Sequence, residues 1–203
     1  QIRTHIFNSS SISLTADDTH YFPINRNCSK DSSFTFTPQS FLSTLQVGDT
    51  FRVDFHGALV RVSEICTDYV SVTVIREGSV GANKGVDCVN RQVDLDDFTE
   101  KDIEAINLCK LHNINDVFIS FCKSPDAVEY VRSQLPNSFI TSKIENRASI
   151  HALSEICNKS DAILIDRGDL SREISILDIP FAQRGIISSS IKANTPCYVA
   201  TNV

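Results

Sequence analysis

Residues 160–170 read SDAILIDRGDL, an apolar segment that runs directly into charged residues and a glycine. Within it, Ala162–Ile165 is short, compact and bounded by polar residues, which is typical of a strand buried on both faces of a parallel sheet. Strand-like and helix-like segments alternate on both sides of it. Working outward, we predict four strands: Asp116–Phe121, Ser138–Glu145, Ala162–Ile165 and Pro196–Thr201.

The helices predicted between these strands are marked by their first residues. Residues 99–102 (TEKD) resemble a capping box, which predicts a helix to about His112. Ser124-Pro125 combines an N-cap with a proline at the first helical position and predicts a helix to about Leu135. Two more helices are predicted at Ala148–Cys157 and Asp178–Ile191. This alternation indicates a parallel α/β sheet, either a barrel or doubly wound, and four strands are half of a closed eight-stranded barrel.

The first half of the chain, to about Asp94, has a different pattern. It is rich in Ser, Thr, Asp and β-branched residues, and short alternating segments are separated by turn residues such as Gly48-Asp49 and Gly78-Ser79. These features predict a small all-β domain, a barrel or a sandwich. The predicted strands are Ser11–Leu14, Tyr21–Ile24, Ser33–Thr37, Thr50–Val53, Leu59–Ile65 and Tyr69–Ile75.

Composition excludes several classes of protein. The 203 residues carry a formal net charge of −6 with no block of Lys and Arg, so we expect no nucleic-acid partner. No apolar run approaches the ~20 residues of a membrane span. The seven cysteines contain no CxxC pair, and no signal peptide is visible, so we expect reduced thiols and a cytoplasmic location. The absence of Met and the Gln at position 1 lead us to expect an excerpt of a longer protein.

The chemistry is expected at the carboxyl ends of the parallel strands, where α/β folds carry their reactive groups. Lys143 and Glu145 are two residues apart and share one face of their strand, and Gly168 and Asp169 follow the next strand. Thr201 ends the last strand. An isolated Lys-x-Glu more often forms a surface ion pair, and an isolated Arg-Gly-Asp more often forms a turn. Their convergence on neighbouring strand ends favours a site for a divalent metal and an anion.

Several of these motifs, taken in order, resemble the pyruvate kinase family. In the second half, the resemblance is carried by residues 142–146 (SKIEN), 160–170 (SDAILIDRGDL), 182–183 (AQ) and 196–201 (PCYVAT). Residues 1–4 (QIRT) are similar to the segment that leaves the third barrel strand of that family. Residues 78–86 (GSVGANKGV) resemble its small β-domain, and residues 93–95 with 99–102 resemble its return to the barrel.

The resemblance implies a fold and a reaction. The fold is α/β, a partial (β/α)8 TIM barrel with an inserted small all-β lid domain. Residues 1–5 and 95–203 would form the barrel part, and residues 6–94 the β-barrel lid. The reaction is Mg²⁺-dependent phosphoryl transfer from phosphoenolpyruvate to ADP, giving pyruvate and ATP in glycolysis. Mg²⁺ or Mn²⁺ and K⁺ are the implied ions, and a homo-oligomer, a tetramer in the family, is the implied assembly.

The resemblance also implies roles, position by position. Lys143 would neutralise the transferring phosphoryl group and the enolate, and Thr201 would lie on the proton route to the enolate carbon. Glu145 and Asp169 would hold the metal. The substrate carboxylate would be bound by the backbone amides of Gly168 and Asp169, with Thr201 close by. The nucleotide phosphates would meet three residues of the first half, namely Arg3, Lys84 and Asp54.

One departure from the family pattern changes the charge of the site. Asp166 stands where the family has Ala, and an added carboxylate should weaken the binding of an anionic substrate by repulsion. Two alternatives therefore stay open. The first is a catalytically impaired paralogue that serves as a structural or binding component. The second is another barrel enzyme acting on phosphoenolpyruvate or an oxoacid, such as a lyase, against which the inserted β-domain argues.

Overall fold

The computed structural model describes residues 2–24, 28, 30–54, 57–91, 93 and 95–201. It divides into two compact units, Gln1–Leu95 and Asp96–Val203. The described part of the first unit is built on antiparallel strands, and that of the second on parallel strands alternating with helices. The chain is therefore a mixed α/β protein, as predicted.

The first unit is a nearly closed antiparallel sheet. Seven strands pair in the order β3-β7-β6-β5-β9-β1-β4, and β2 pairs separately with β8. The two outermost strands of the larger sheet, β3 and β4, contact each other and so bring its edges together. The elements are β1 Ile2–Ile6, β2 Ser11–Leu14, β3 Thr19–Pro23, β4 Phe34–Thr37, a 3₁₀-helix Gln39–Thr44, β5 Thr50–Val53, β6 Leu59–Ile65, β7 Tyr69–Arg76, β8 Gly78–Gly81 and β9 Gly85–Cys88.

Phenylalanines fill the centre of this unit. Phe22, Phe34, Phe36, Phe41 and Phe51 are all buried, and their rings pack edge-on or tilted with centroids 4.7 to 6.5 Å apart. Phe34 and Phe36 lie two residues apart on β4 and therefore point to the same side of the sheet. The contact of Phe22 with Phe34 joins β3 to β4, so aromatic packing draws the two outermost strands together.

The prediction of a turn at Gly78-Ser79 was wrong. Both residues lie in β8, which pairs antiparallel with β2. A Cβ at Gly78 would come within 2.7 Å of the backbone nitrogen of Ala58. The glycine is therefore required by close packing against a neighbouring segment, a requirement that the sequence does not distinguish from turn formation.

Strand β1 also differs from expectation. We grouped residues 1–5 with residues 95–203, and Gln1 lies outside the described residues. Strand β1 pairs with β4 and β9 inside the first unit. Ile2 and Ile6 alternate toward the core of that unit and are buried in it, which holds the strand there.

The described part of the second unit contains four parallel strands in chain order, β10-β11-β12-β13. Ile140, Ile144, Ile163 and Ile165 from the two central strands are fully buried. The elements are α1 Glu100–His112, β10 Asp116–Ile119, α2 Pro125–Gln134, β11 Phe139–Ile144, α3 Arg147–His151, α4 Leu153–Lys159, β12 Ala162–Asp166, α5 Arg167–Glu173, α6 Ile179–Lys192 and β13 Cys197–Ala200.

The predicted helix starts at Thr99 and Ser124 are confirmed. Thr99 and Asp102 form a reciprocal capping box at α1, in which the Thr99 hydroxyl accepts from the Asp102 N–H and the Asp102 carboxylate accepts from the Thr99 N–H. Ser124 caps α2 by accepting from the Ala127 N–H, and Pro125 opens the helix. These local contacts involve residues three apart, which is why the sequence pattern reveals them.

Two helices differ from prediction. The helix expected over 148–157 is two short helices, α3 and α4, that meet at Ala152, whose backbone (φ −93°, ψ 12°) leaves the regular helical geometry. The segment after β12, expected as a polar strand end, is the short helix α5. Strand-to-helix passage without an intervening loop places Gly168 and Asp169 in the first turn of that helix.

Two properties concern the chain as a whole. Among the described residues, no helix combines the length and apolar character needed to cross a membrane. All seven cysteines lie within the described ranges, and each carries a free thiol. Burial raises the pKa of the Cys122 and Cys157 thiols to about 11, so both stay protonated at neutral pH.

A buried carboxylate anchors the loop between the 3₁₀-helix and β5. Asp49 accepts two hydrogen bonds of 2.7 Å from Arg91 and one of 2.8 Å from the Gln46 N–H. Arg91 also donates to the Thr44 carbonyl at 2.9 Å. We predict that Arg91→Met leaves the Asp49 charge unpaired and lowers the free energy of unfolding of the first unit by about 2–3 kcal/mol, measured by urea denaturation.

The matched control is Arg52→Met, which replaces an exposed arginine on β5 and should change stability by less than about 0.5 kcal/mol. Burial alone would raise the pKa of Asp49, but the hydrogen bonds from Arg91 outweigh it and hold that pKa below its usual 3.8. The stabilisation is therefore present above pH 3.8 and is lost as the pH falls through the lowered value. The anchoring role would be contradicted if both variants lost the same free energy of unfolding. It would also be contradicted if the difference in that free energy between wild type and Arg91→Met did not shrink in acid.

Candidate active site

The carboxyl end of β11 presents a lysine and a glutamate on one face. Lys143 lies near the end of the strand, Glu145 follows it two residues later, and Lys143 Nζ lies 2.5 Å from Glu145 Oε1. The predicted shared face is confirmed by this ion pair. The Lys143 side chain is one-fifth exposed, whereas that of Glu145 is fully buried. Lys143 therefore contacts the buried Glu145 carboxylate and is itself still partly accessible to solvent.

Glu145 is held by partners on both oxygens. Its Oε2 accepts a 2.6 Å hydrogen bond from the Phe121 N–H, which comes from the loop after β10. Its Oε1 is ion-paired with Lys143 and, apart from that pair, has no hydrogen-bond partner among the residues described. Burial raises the pKa of Glu145, although the Lys143 ammonium and the Phe121 N–H act in the opposite direction. An oxygen in this state has coordination capacity left for a cation.

Asp166, the last residue of β12, joins this pair. Its Oδ2 lies 3.4 Å from Lys143 Nζ, and its Oδ1 accepts a 2.8 Å hydrogen bond from the Thr201 hydroxyl. Burial alone would raise the pKa of Asp166, but the Thr201 hydroxyl and the Lys143 ammonium outweigh it and lower that pKa. Burial would likewise lower the pKa of Lys143, and the two carboxylates outweigh it and raise that pKa. Lys143 and Asp166 are therefore both charged at neutral pH in the described arrangement.

Asp169 lies in the first turn of α5 and completes a set of three acids. One carboxylate oxygen from each of Glu145, Asp166 and Asp169 lies within 4.8 Å of the others. Arg172, three residues further along α5, approaches Asp169 at 3.7 Å. The donors are all oxygen, and one of them is buried with spare coordination capacity, so the set fits a small, hard divalent cation such as Mg²⁺ or Mn²⁺.

Thr201 is held in an unusual backbone conformation. Its φ of +62° is rare for a β-branched residue and costs about 1–3 kcal/mol. The hydrogen bond to Asp166 and the 2.7 Å bond from Arg167 Nε to the Thr201 carbonyl fix it there. A Cβ on Gly168 would lie 2.7 Å from the Thr201 methyl carbon. Gly168 and Thr201 therefore form one close contact at the mouth of the site.

The three residues expected at the nucleotide lie together in the first unit. Lys84 Nζ lies 3.5 Å from Asp54 Oδ2, and the Asp54 N–H donates to the Gly85 carbonyl at 2.9 Å. Arg3 is the register partner of Gly85 in the β1–β9 ladder, and its Nη1 donates to the Asn83 carbonyl at 3.1 Å. This group combines two cationic side chains and one carboxylate: Arg3 lies on β1, Asp54 directly follows β5 and Lys84 directly precedes β9.

Asp166 belongs to the site although the sequence prediction does not include it among the site residues. In the sequence it is only a departure from the family pattern, whereas in the structure it contacts both Lys143 and Thr201. Arg167 was missed as well, although it binds the Thr201 carbonyl. Register supplies the signal that could have found Asp166: it is paired with Ala200, next to Thr201, at the end of the parallel β12–β13 ladder.

The geometry defines a class of protein. It is an α/β protein whose parallel strands bring a lysine and three carboxylates to their carboxyl ends, an arrangement suited to a divalent cation and an anion. The sequence model of the family "Pyruvate kinase, barrel domain" matches residues 1–203, and the chain belongs to the pyruvate kinase family.

Individual relatives agree with this assignment. The chain is similar to the pyruvate kinases of Staphylococcus aureus strains USA300, NCTC 8325 and bovine RF122, with 27% identity over 209 residues in each case. Each alignment covers 100% of this chain and 36% of the relative. The chain thus spans about a third of the length of the curated relatives it matches.

The close contact at Gly168 generates a prediction. Gly168→Ala should push the Thr201 methyl group away, break the Thr201–Asp166 hydrogen bond and lower the free energy of unfolding by about 1–3 kcal/mol in urea denaturation. Thr201→Ser removes that methyl carbon and keeps the hydroxyl. The double variant should therefore recover most of the loss.

Gly185→Ala is the matched control. Gly185 lies inside α6, and a Cβ added there would have nothing within 4 Å, so the substitution should stabilise the helix by up to about 1 kcal/mol. A destabilised Gly185→Ala variant, or a Gly168→Ala variant that Thr201→Ser does not rescue, would refute the steric explanation.

Proposed function

We propose that this chain carries the phosphoryl-transfer site of a pyruvate kinase, a Mg²⁺-dependent glycolytic transferase that converts phosphoenolpyruvate and ADP to pyruvate and ATP. The observation that supports the proposal is the cluster of Lys143 with Glu145, Asp166 and Asp169 at the ends of adjacent parallel strands. In this reaction the bond from phosphorus to the enol oxygen breaks, and a bond to a terminal phosphate oxygen of ADP forms. Protonation of the enolate carbon then gives pyruvate.

The proposal includes a fold assignment. Strands β10 to β13 follow one another across the sheet without the reversal of order that marks a doubly wound sheet, which favours part of a (β/α)8 TIM barrel. Residues 95–203 would belong to this partial barrel, and residues 6–94 would form the inserted β-barrel lid. A cytoplasmic location and a homo-oligomer are included on family grounds.

Glu145 and Asp169 would hold the divalent cation. When bound, Mg²⁺ or Mn²⁺ supplies positive charge that neutralises the oxygens of the substrate. Glu145 is prepared for this role because its Oε2 is fixed by the Phe121 N–H while its Oε1 keeps coordination capacity. Asp169 is oriented by Arg172. K⁺ is included on family grounds alone.

Lys143 and Thr201 would act on the reacting atoms. The Lys143 ammonium would neutralise charge on the transferring phosphoryl group and on the enolate oxygen, where a fixed cation in a partly desolvated site is most effective. The Thr201 hydroxyl would pass a proton toward the enolate carbon through water, because a hydroxyl alone is a weak acid. The backbone amides of Gly168 and Asp169 would bind the carboxylate of the substrate.

Arg3, Lys84 and Asp54 would meet the nucleotide. Arg3 and Lys84 offer positive charge for the phosphates of ADP, and the Asp54 carboxylate positions the Lys84 ammonium. All three lie in the first unit, which the proposal takes as the lid.

A second candidate is a catalytically impaired paralogue that acts as a structural or binding component. The contact of Asp166 with both Lys143 and Thr201 favours it, because the two groups expected to act on the substrate already share an internal anion. The two candidates differ in turnover, so a rate measurement separates them.

We predict Mg²⁺-dependent pyruvate formation by the full-length protein in an assay coupled to lactate dehydrogenase. Lys143→Met should lower kcat at least about 100-fold, because it removes the cation that neutralises the transition state. Lys101→Met, at an exposed position of α1, is the control and should leave the rate unchanged. Addition of a chelator should abolish the reaction.

Two other results have defined meanings. If no Mg²⁺-dependent pyruvate forms while calorimetry detects binding of ADP and phosphoenolpyruvate, the impaired paralogue replaces the enzyme. If pyruvate forms and Lys143→Met retains the wild-type rate, the assigned role of Lys143 is wrong.

A further inference from the structure

Asp166 holds the two groups that an anionic ligand of this site would use. Its two oxygens face different partners, Lys143 Nζ at 3.4 Å and the Thr201 hydroxyl at 2.8 Å. Less than one-fifth of the Asp166 side chain is exposed. An incoming phosphate or carboxylate would have to take both partners away from a carboxylate that is already bound and partly desolvated.

In the part of the chain that the structure describes, the cations paired with these carboxylates are already engaged. Lys143 is shared between Glu145 and Asp166, and Asp169 is approached by Arg172. The three carboxylates outnumber the two cations paired with them, Lys143 and Arg172, so the site attracts a further cation and repels an anion. With an uncharged residue at position 166, Lys143 would be ion-paired with Glu145 alone.

We propose that Asp166 is a specificity-determining residue that biases this site toward the cation and against a free anion. Its carboxylate adds a third oxygen ligand close to Glu145 and Asp169, the two residues proposed to bind the cation. The same carboxylate competes with an anion for contact with Lys143 and Thr201. Affinity for an anion is consequently more dependent on a bound divalent cation than it would be without this carboxylate. The inference rests on the proposed function in taking Glu145 and Asp169 as the cation site.

Asp166→Asn isolates the charge. Asparagine keeps the size of the side chain and an oxygen that can accept from Thr201, while it removes the attraction to Lys143 and to a cation. Asp116→Asn is the matched control: Asp116 is exposed at the amino end of β10, the edge of the same sheet opposite to the site. Both substitutions remove one negative charge from the same unit.

The test uses two probes on the full-length protein. Mn²⁺ alone is titrated and followed by electron paramagnetic resonance, and inorganic phosphate is titrated by calorimetry with and without saturating Mg²⁺. Asp166→Asn should bind Mn²⁺ about tenfold more weakly and phosphate in the absence of Mg²⁺ about tenfold more tightly. The improvement of phosphate affinity by Mg²⁺ should be smaller in Asp166→Asn than in wild type. Asp116→Asn should match wild type in all three measurements.

The opposite signs of the two effects separate the proposal from damage to the fold, which would weaken both ligands. Asp166→Ala serves as a second variant, and a thermal melt of each protein establishes that it is folded. If Mn²⁺ binds wild type normally and Asp166→Asn changes neither ligand, or changes both in the same direction, this inference is overturned and the proposed cation site stands. If wild type binds no Mn²⁺, both fail.

Discussion

The parallel register of β11, β12 and β13 is the constraint on which the candidate site depends. Lys143 is paired with Leu164, and Asp166 with Ala200, so the strands end at the same level and their last side chains meet. The Asp161 carboxylate helps to fix this register, because it accepts from the Ile140 N–H at 2.7 Å and is ion-paired with Arg132. A slip of one residue would turn Lys143 to the other face of the sheet and expose a buried isoleucine in its place.

The strand register brings several carboxylates close together, and their mutual repulsion has to be offset. Glu145, which is buried, shows how the structure does this. A fully buried carboxylate without partners is strongly unfavourable, and here it receives one backbone N–H and one ammonium. The lysine therefore has a structural task in the folded protein as well as the chemical role proposed for it. The same dependence explains why Phe121, on a loop after a different strand, belongs to the site: its N–H is the second support of Glu145.

Much of this architecture could be predicted from local sequence patterns. The capping box at Thr99 and the Ser124-Pro125 start involve neighbours three residues apart or fewer, and the buried strand Ala162–Ile165 is marked by its apolar run. The face shared by Lys143 and Glu145 follows from strand periodicity. The assignment of the four strands to a partial barrel remains a prediction, since four parallel strands in chain order also occur in open sheets.

Contacts between distant residues account for what the sequence did not reveal. The bond from Thr201 to Asp166 spans 35 positions and that from Phe121 to Glu145 spans 24. Neither leaves a local pattern. Helix α5 was missed because an Arg-Gly-Asp sequence with a central glycine is typical of turns. The prediction grouped strand β1 with the second unit because residues 1–4 resemble the segment that leaves a barrel strand. That resemblance does not reveal that Ile2 and Ile6 are buried in the core of the first unit.

The direct passage from β12 into α5 has a kinetic consequence. Asp166 ends a central strand and adjoins the first residue of a helix, so its backbone is fixed on both sides. Its carboxylate can therefore change partners by rotation of the side chain, without movement of the strand or the helix. Exchange of its partners does not have to wait for movements of loops or domains, which take microseconds to milliseconds.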